Sequence, residues 1–335
     1  MKKTTKRNII LSTGVLGCAA MLFAASVGHV SAARAEEFAG HYVPDFSNYA
    51  AAKAFSAELN VDIMRESIVL LKNNGALPLA KGDSVSLLGA RAYEPVVGGT
   101  GSGGSASAYY SLPLSLETAG FRVNAATEPY YASHRIAVSV SSGMGASASP
   151  IDHDIDQLAA DLGGSFDLFN DAAIITLGRV GGEGGDLFVR NLPAAAAADK
   201  TQHVLQLFDG EKALIKLAKE RFGKVIVLLN TANVMECGEL EDDPGVDAVL
   251  WIGEGGTSGL KAVGEVLNGT VNPSGRTADI WPANFKKDPV WQNFGDNSQH
   301  YELKEDGSFN TLGTPNASTK AEGLSGTRPS LDSLA

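Results

Sequence analysis

Ala172-Ala-Ile-Ile-Thr-Leu-Gly-Arg-Val-Gly-Gly-Glu-Gly-Gly-Asp186 is the stretch that decides the fold of this chain. It begins as a short apolar run with β-branched residues and ends in glycines around one carboxylate, Glu183, a pattern that predicts a buried strand followed by a loop. In an open α/β sheet, ligands bind just beyond the carboxyl ends of the strands. Arg179, Glu183 and Asp186 are therefore candidate site residues. The alternative is a solvated turn that carries ordinary surface charges.

The order of strand, glycine loop and helix recurs along the chain and predicts an α/β fold with a mainly parallel sheet. Further strands are expected at Ser84–Gly89, Lys224–Asn230 and Asp247–Ile252. The expected helices are Asn48–Lys72, Ser111–Ala119, Asp154–Leu162, Glu211–Phe222 and Leu260–Leu267.

The first of these helices is predicted from apolar side chains at four-residue spacing, which would form one buried face. These side chains are Phe55, Leu59, Ile63 and Leu71, with Ser67 in the same series. Asn73-Asn74-Gly75 is expected to end the helix, because asparagine and glycine tolerate the left-handed C-cap. Residues 125–150 show no clear pattern.

Two further loops carry candidate residues. Glu254 follows the strand that ends at Ile252, so it is expected at the same sheet edge as Glu183. Gly101 and Ser102 lie in the glycine-rich loop 98–105, which we interpret as a substrate-contacting loop. That loop formally matches a dinucleotide fingerprint, but it lacks a strand directly before it and an acidic residue about 20 positions later. We therefore predict no cofactor, and nucleotide binding remains a weaker alternative that titration with NADH would test.

The charge of the chain argues against several classes of partner. The formal net charge is −11, and residues 1–35 contain five basic side chains and no acidic one. Beyond them, 22 basic side chains face 38 acidic ones, a balance of −16. Nucleic acids and anionic membrane surfaces both require basic patches, so neither is an expected partner of the body of the chain. A neutral sugar is compatible with this charge.

The cysteines and histidines of the chain argue against disulfides and metal sites. Cys18 lies in the N-terminal apolar segment and Cys237 is the only other cysteine. No disulfide is possible once the leader is removed, and a cysteine-based zinc site is excluded. The histidines show neither an HExxH motif nor close pairs, so no metal site is predicted.

The N-terminus resembles an export signal, because the basic residues 1–7 precede an apolar segment and small-residue cleavage sites at 30–35. Residues 1–35 are read as a signal peptide. The apolar segment, residues 8–28, is also long enough for an uncleaved signal anchor, and Val15-Leu16-Gly17-Cys18 faintly resembles a lipoprotein box. In each case the body would be exported, either secreted or membrane-anchored. Residues 36–285 would form the α/β domain, and 286–335 a linker with a disordered tail from residue 305.

Five motifs resemble family 3 glycoside hydrolases, the β-glucosidase group, and they follow in the family's order. They are Arg65-Glu-Ser-Ile-Val-Leu-Leu-Lys-Asn-Asn-Gly-Ala-Leu-Pro-Leu79, Gly99-Thr-Gly-Ser-Gly103, Gly178-Arg-Val-Gly-Gly-Glu-Gly-Gly-Asp186, Lys224-Val-Ile-Val-Leu-Leu-Asn230 and Val266-Leu-Asn-Gly-Thr-Val-Asn-Pro-Ser-Gly-Arg276 with Trp281-Pro282. The resemblance implies a three-layer α/β/α sandwich over roughly residues 50–285.

The resemblance also implies a role for Glu183 as the acid/base of retaining hydrolysis of a β-linked glucoside or oligosaccharide. Arg179 and Asp186 would orient its loop, or only pair with each other. In the family, the nucleophilic aspartate and most sugar contacts come from a (β/α)₈ barrel packed against the sandwich.

The chain departs from the family because no stretch accommodates a barrel, which needs about 250 residues. Asp288-Pro-Val-Trp-Gln-Asn-Phe-Gly-Asp296 resembles the link to a following barrel. We therefore expect a truncated product or half of a split enzyme, with a barrel in cis or trans as partner and negligible hydrolysis by the isolated chain. The alternative is a non-catalytic carbohydrate-binding or scaffolding module.

Overall fold

The structure, a computed structural model, describes residues 44–99, 108–134, 136–139, 148–151, 154–181, 202–287, 301–303 and 309–311. The chain divides into two compact units, residues 1–56 and 57–335. In the first unit, Asn48 accepts the Ala51 N–H at 2.9 Å and so caps the helix that begins at Tyr49. The predicted leader lies outside the described residues.

The described elements follow each other in a strand–helix order. They are α1 (Tyr49–Ser67), β1 (Val69–Asn73), β2 (Ser84–Leu88), α2 (Leu112–Thr118), β3 (Arg122–Val123), α3 (Thr127–Ser133), β4 (Ile136–Ser139), β5 (Ala148–Ile151), α4 (Ile155–Phe166), β6 (Ala172–Leu177), α5 (Asp209–Arg221), β7 (Val225–Leu229), α6 (Gly238–Asp242), β8 (Ala248–Trp251), α7 (Lys261–Leu267), β9 (Tyr301–Leu303) and β10 (Phe309–Thr311). Short 3₁₀ turns lie at Ala90–Ala92 and Phe285–Lys287.

A six-stranded sheet organises the second unit, with the strand order β1-β8-β7-β6-β2-β3. Neighbouring strands are parallel, except that the edge strand β1 is antiparallel to β8. The prediction of an α/β fold with a mainly parallel sheet is confirmed. The pairs β4–β5 and β9–β10 are separate two-stranded antiparallel ribbons.

Alternate residues of the central strands point into two different cores. On one face, Ile174 and Ile226 pack with apolar side chains of α1, α2 and α7. On the other face, Ile175 and Val227 pack with side chains of α3, α4, α5 and α6. Helices therefore cover both faces of the sheet, which explains why β6 and β7 read as continuous apolar runs instead of alternating ones.

The predicted helix Asn48–Lys72 is wrong at its C-terminal end. Helix α1 ends at Ser67, and the following Val69–Asn73 forms the edge strand β1. The Lys72 ammonium then donates to the carbonyls of Leu240, Glu241 and Asp243 at 2.7–3.0 Å, a contact that needs extended backbone to reach α6.

The predicted buried face of α1 is also wrong. Val61 and Met64 are buried, whereas Leu59 and Ile63 are 45% and 55% exposed. A strict four-residue spacing drifts by about 40° per step on a helix of 3.6 residues per turn, so it does not stay on one face.

Two regions contain more regular structure than the sequence pattern indicates. Residues 125–150 include α3 and the β4–β5 ribbon, and strand β10 falls within the stretch predicted as a disordered tail. Ribbons of three or four residues leave almost no periodic signal. Among the described helices, none has both the length and the apolar character needed to cross a bilayer.

Candidate functional site

The carboxyl ends of three parallel strands lie along one edge of the sheet, and the segments that follow these strands carry the predicted site residues. Strands β2, β6 and β8 lead to loop 98–105, to the Glu183 motif and to Glu254 respectively. Gly101, Ser102, Glu183 and Asp186 lie outside the described residues. The structure describes the chain on both sides of them, and these flanking residues define the site.

The flanks of the two glycine-rich segments are neighbours. A Cβ added to Gly99 would lie 3.9 Å from the carbonyl oxygen of Gly181. Gly178 is packed more tightly, because a Cβ there would lie 2.5 Å from the carbonyl oxygen of Asn230. The exits of β2, β6 and β7 therefore approach each other so closely that glycine is required at position 178.

Arg179 is fully buried directly after β6. Its guanidinium forms a bidentate pair with Glu211, with Nη1–Oε1 2.7 Å and Nη2–Oε2 2.8 Å. Its Nε donates to the Val204 carbonyl at 2.6 Å and its Nη2 to the Gln206 carbonyl at 2.8 Å. The Phe208 ring centroid lies 3.7 Å from its Cζ. One side chain thus joins the residues immediately before segment 182–201 to those immediately after it.

Arg179 has no exposed surface in this conformation, and its described carboxylate partner is Glu211. Its hydrogen bonds connect residues 178–179 with residues 204–211. Glu211 also accepts the Phe208 N–H at 2.7 Å at the start of α5, so the pair is anchored on a helix N-terminus.

A second buried carboxylate, Glu236, holds the same flank. It accepts the side-chain amide of Gln206 and the backbone N–H of Phe285, both at 2.8 Å, and its Oε2 lies 3.5 Å from His203 Nε2. Burial opposes ionisation of Glu236, but the interactions with His203, Gln206 and Phe285 outweigh it and hold its pKa below the ordinary value. Residues 203–206 are thereby tied to the loop after β7 and to the turn at 285–287.

Asn230 is a fully buried amide at the exit of β7 that the motifs did not single out as functional. Its Nδ2 donates to the carbonyls of Val96 at 2.8 Å and Gly253 at 2.7 Å, and its Oδ1 accepts the Val96 N–H at 2.5 Å. Its own N–H donates to Leu177 at 2.7 Å. The sequence feature that could have indicated Asn230 is the presence of a polar residue directly after the apolar run Val225–Leu229.

Glu254 is half-buried on the loop after β8, and burial raises its pKa. In the described part of the chain its carboxylate has no hydrogen bond or ion pair. The loop around it is firmly held: Gly256 N–H donates to Val97 at 2.8 Å, and Asn60 Oδ1 accepts the N–H groups of Ser258 and Gly259 at 3.0 Å. Glu254 is therefore a half-buried carboxyl on a fixed loop beside the flank of segment 100–107.

Arg91 is a second buried guanidinium at this edge, also missed from the sequence. Its Cγ would lie 3.3 Å from a Cβ on Gly178, and its Nη1 donates to the Glu94 carbonyl at 3.1 Å. Burial, together with the nearby charge of Arg179, lowers the pKa of Arg91 to about 10. No group of three or more His, Cys, Asp or Glu side chains suited to a metal ion occurs among the described residues.

Sequence comparison places this geometry in a known family. The profile of the glycosyl hydrolase family 3 C-terminal domain matches residues 68–313. The chain is 29% identical over 272 residues to β-glucosidase A of Butyrivibrio fibrisolvens, covering 74% of this chain and 31% of that protein. It is 29% identical over 248 residues to a β-glucosidase of Ruminococcus albus, covering 71% of this chain and 24% of that protein. The chain thus spans a third or less of the length of these relatives.

Solved structures share the fold. The structure of β-glucosidase 3B from Thermotoga neapolitana in complex with glucose superposes with a TM-score of 0.57 at 24% identity, over 73% of this chain and 33% of that one. A β-glucosidase from Paenibacillus barengoltzii gives a TM-score of 0.53 at 24% identity. On the family profile, which matches well over half of its residues, the chain belongs to the glycosyl hydrolase family 3 C-terminal domain family.

Proposed function

We propose that this chain supplies the general acid/base, Glu183, for retaining hydrolysis of β-glucosidic bonds. The observation that carries the proposal is the Arg179–Glu211 pair, which fixes both flanks of the Glu183 segment at the carboxyl edge of the sheet. Membership of the family 3 C-terminal domain family and the Gly-Gly-Glu-Gly-Gly-Asp motif support it.

The chemistry explains why such a segment has to be held firmly. A retaining glycosidase needs two carboxyl groups about 5–5.5 Å apart. One attacks the anomeric carbon, while the other protonates the leaving oxygen and later takes a proton from water. We propose that the nucleophile comes from a (β/α)₈ barrel, in cis or in trans. A displacement of about 1 Å can cost roughly 10²-fold in rate, so the Glu183 segment requires fixed ends.

The other predicted residues receive supporting roles. The half-buried Glu254 would accept a hydrogen bond from a sugar hydroxyl, and Gly101 and Ser102 would contact the substrate from the neighbouring segment. Asp186 would help to orient Glu183. A β-glucoside is the proposed substrate because the two bacterial relatives are named β-glucosidases and the Thermotoga structure contains glucose.

A chimeric enzyme tests the proposal directly. This chain would replace the matching third of the Butyrivibrio β-glucosidase A, and hydrolysis of 4-nitrophenyl β-D-glucoside would be measured. We expect turnover in the chimera and a loss of about 10²–10⁴-fold in Glu183→Gln, the usual contribution of general acid/base catalysis. Full activity in Glu183→Gln would refute the proposed role.

Calorimetry on the chain itself separates this proposal from a non-catalytic carbohydrate-binding module. Titration with glucose and cellobiose would be compared between wild type and Glu183→Gln. Tight binding that is insensitive to Glu183 supports the module.

We also propose that the chain is exported through residues 1–35, either as a cleaved leader or as an anchor in residues 8–28. N-terminal sequencing of the protein recovered outside the cytoplasm would identify a cleavage site within residues 30–36. Exclusive recovery from the cytoplasm with an intact N-terminus would exclude export.

A further inference from the structure

We propose that Asn230 is the positioning residue that sets the spacing of the three site-bearing loops at the carboxyl edge of the sheet. This inference rests on the proposed function, because the loops matter for hydrolysis only if they carry the site. It assigns to Asn230 a role in geometry, without contact to the substrate.

The side-chain bonds of Asn230 reach two of the three loops, and its backbone N–H reaches the end of the strand that leads into the third. Val96, bonded through both its N–H and its carbonyl, lies shortly before segment 100–107. Gly253, the second acceptor of Nδ2, directly precedes Glu254. Leu177, which accepts the backbone N–H of Asn230, directly precedes Gly178 and the Glu183 motif.

The amide group is chemically specific at this position. Two carbonyl acceptors require two N–H donors, and the Val96 N–H requires an acceptor, which is the complement of a primary amide. Asn230 is fully buried, so water does not replace a missing bond and an unsatisfied partner stays uncompensated. A carboxylate of the same shape would face two carbonyl oxygens with no donor to offer.

A second buried asparagine provides a matched control. Asn124 is 2% exposed, and its Nδ2 donates to the hydroxyls of Ser86 at 3.0 Å and Ser165 at 2.9 Å. Its Oδ1 accepts the Ala126 N–H at 3.0 Å. It therefore has the same number of side-chain bonds, but they connect β2, α4 and the start of α3 and none of the three site-bearing loops.

The first arm of the test uses the full chain and does not depend on catalysis. Hydrogen exchange followed by mass spectrometry would compare wild type, Asn230→Asp and Asn124→Asp. We expect at least about tenfold faster exchange in peptides that cover Val96 and Gly253 in Asn230→Asp only. Equal exchange in the two variants would overturn the inference.

The second arm uses the chimera described above. Asn230→Asp is expected to lower kcat at least about tenfold with little change in KM. A displaced acid reduces the stabilisation of the transition state more than it reduces the binding of the substrate ground state. Asn124→Asp, compared at equal loss of Tm, should stay within about threefold. If kcat falls in the same proportion to the loss of Tm in both variants, the role of Asn230 is merely structural and the inference is overturned.

A second variant protects against loss of folding. If Asn230→Asp lacks the circular dichroism of the folded chain, Asn230→Ser removes the amide without adding charge and enters both arms with the same expectations. The two proposals fail separately: full activity in Glu183→Gln refutes the acid/base role, whereas unchanged exchange at Val96 and Gly253 refutes the role of Asn230.

Discussion

Arg179 and Glu211 meet in a bidentate ion pair that lies between the end of β6 and the first turn of α5. Their side chains are 0% and 8% exposed. The same guanidinium donates to the three backbone carbonyls of Gly178, Val204 and Gln206, so each of its five N–H groups has an acceptor. The described residues on the two sides of segment 182–201, which contains the proposed acid/base, thus meet at one buried ion pair.

Removing either partner of this pair should be strongly destabilising. Arg179→Met or Glu211→Gln leaves an uncompensated buried group, and we expect a loss of about 3–5 kcal/mol in the free energy of unfolding. The double variant Arg179→Met/Glu211→Leu should lose less than the sum of the single losses. Urea denaturation measures all three.

An exposed pair serves as the comparison. Lys212 and Glu239 are 2.7 Å apart but 36% and 51% exposed, so Lys212→Met should cost less than about 1 kcal/mol. Additive losses in the Arg179–Glu211 cycle would show that the two side chains do not act as a unit.

Gly178 should not tolerate even a methyl group. Its added Cβ would lie 2.5 Å from the Asn230 carbonyl oxygen, and neither backbone can move without shifting the sheet exits. We expect Gly178→Ala to lower the unfolding free energy by about 1–3 kcal/mol.

Gly164 in α4 provides the control for this substitution. No atom lies within 4 Å of its added Cβ, so Gly164→Ala should stabilise the chain by about 0.5–1 kcal/mol through helix propensity. Thermal unfolding of both variants measures the difference. A Gly178→Ala protein as stable as wild type would contradict the close approach of β6 and β7.

Glu236 should make the free energy of unfolding depend on pH in the acidic range. Its pKa is lower in the folded chain than in an unfolded one, so its carboxylate contributes stability above the ordinary glutamate pKa of about 4.3. That contribution is lost as the pH falls through the lower folded pKa. Glu236→Gln should therefore flatten the decline of the unfolding free energy between about pH 5 and pH 3, measured by urea denaturation.

The exposed Glu239 gives the reference for the pH dependence. Glu239→Gln removes one carboxyl group close by in the chain and leaves the contacts of Glu236 with Gln206 and Phe285 intact. If Glu236→Gln and Glu239→Gln change the slope equally, the buried contacts of Glu236 with Gln206 and Phe285 do not hold its charge.

Local patterns predicted those parts of the fold that local forces determine. Strands β2, β6, β7 and β8 are predicted correctly, because short apolar runs end at glycine or a polar residue. Helix α4 begins where the sequence predicts it, since Asp154 caps it and accepts the Gln157 N–H at 2.8 Å, but it continues to Phe166, beyond the predicted end at Leu162. The end of α1 was missed, because Val69–Asn73 becomes a strand only through its pairing with β8. Tertiary pairing overrides helix periodicity there.

For the site, too, the features that follow local patterns are predicted and those that depend on tertiary contacts are not. The Glu183 motif and Glu254 were singled out because glycine loops follow apolar runs. Arg179 belongs to the same motif, but its partner Glu211 and the contact between Asn230 and Val96 are not predicted, because these pairs are 32 and 134 positions apart. No periodicity links such pairs, and only the folded sheet brings them within hydrogen-bonding distance.

The most direct measurement of the central claim is the dependence of hydrolysis on the leaving group in the chimera carrying Glu183→Ala. A general acid matters most for a basic leaving group, so kcat/KM should fall by about 10²–10⁴-fold for phenyl β-D-glucoside and change little for 2,4-dinitrophenyl β-D-glucoside. Azide should restore kcat for the activated substrate, because it replaces the water that needs a base. An equal fall of kcat/KM for both substrates, without rescue by azide, would contradict the assignment of Glu183 as the acid/base.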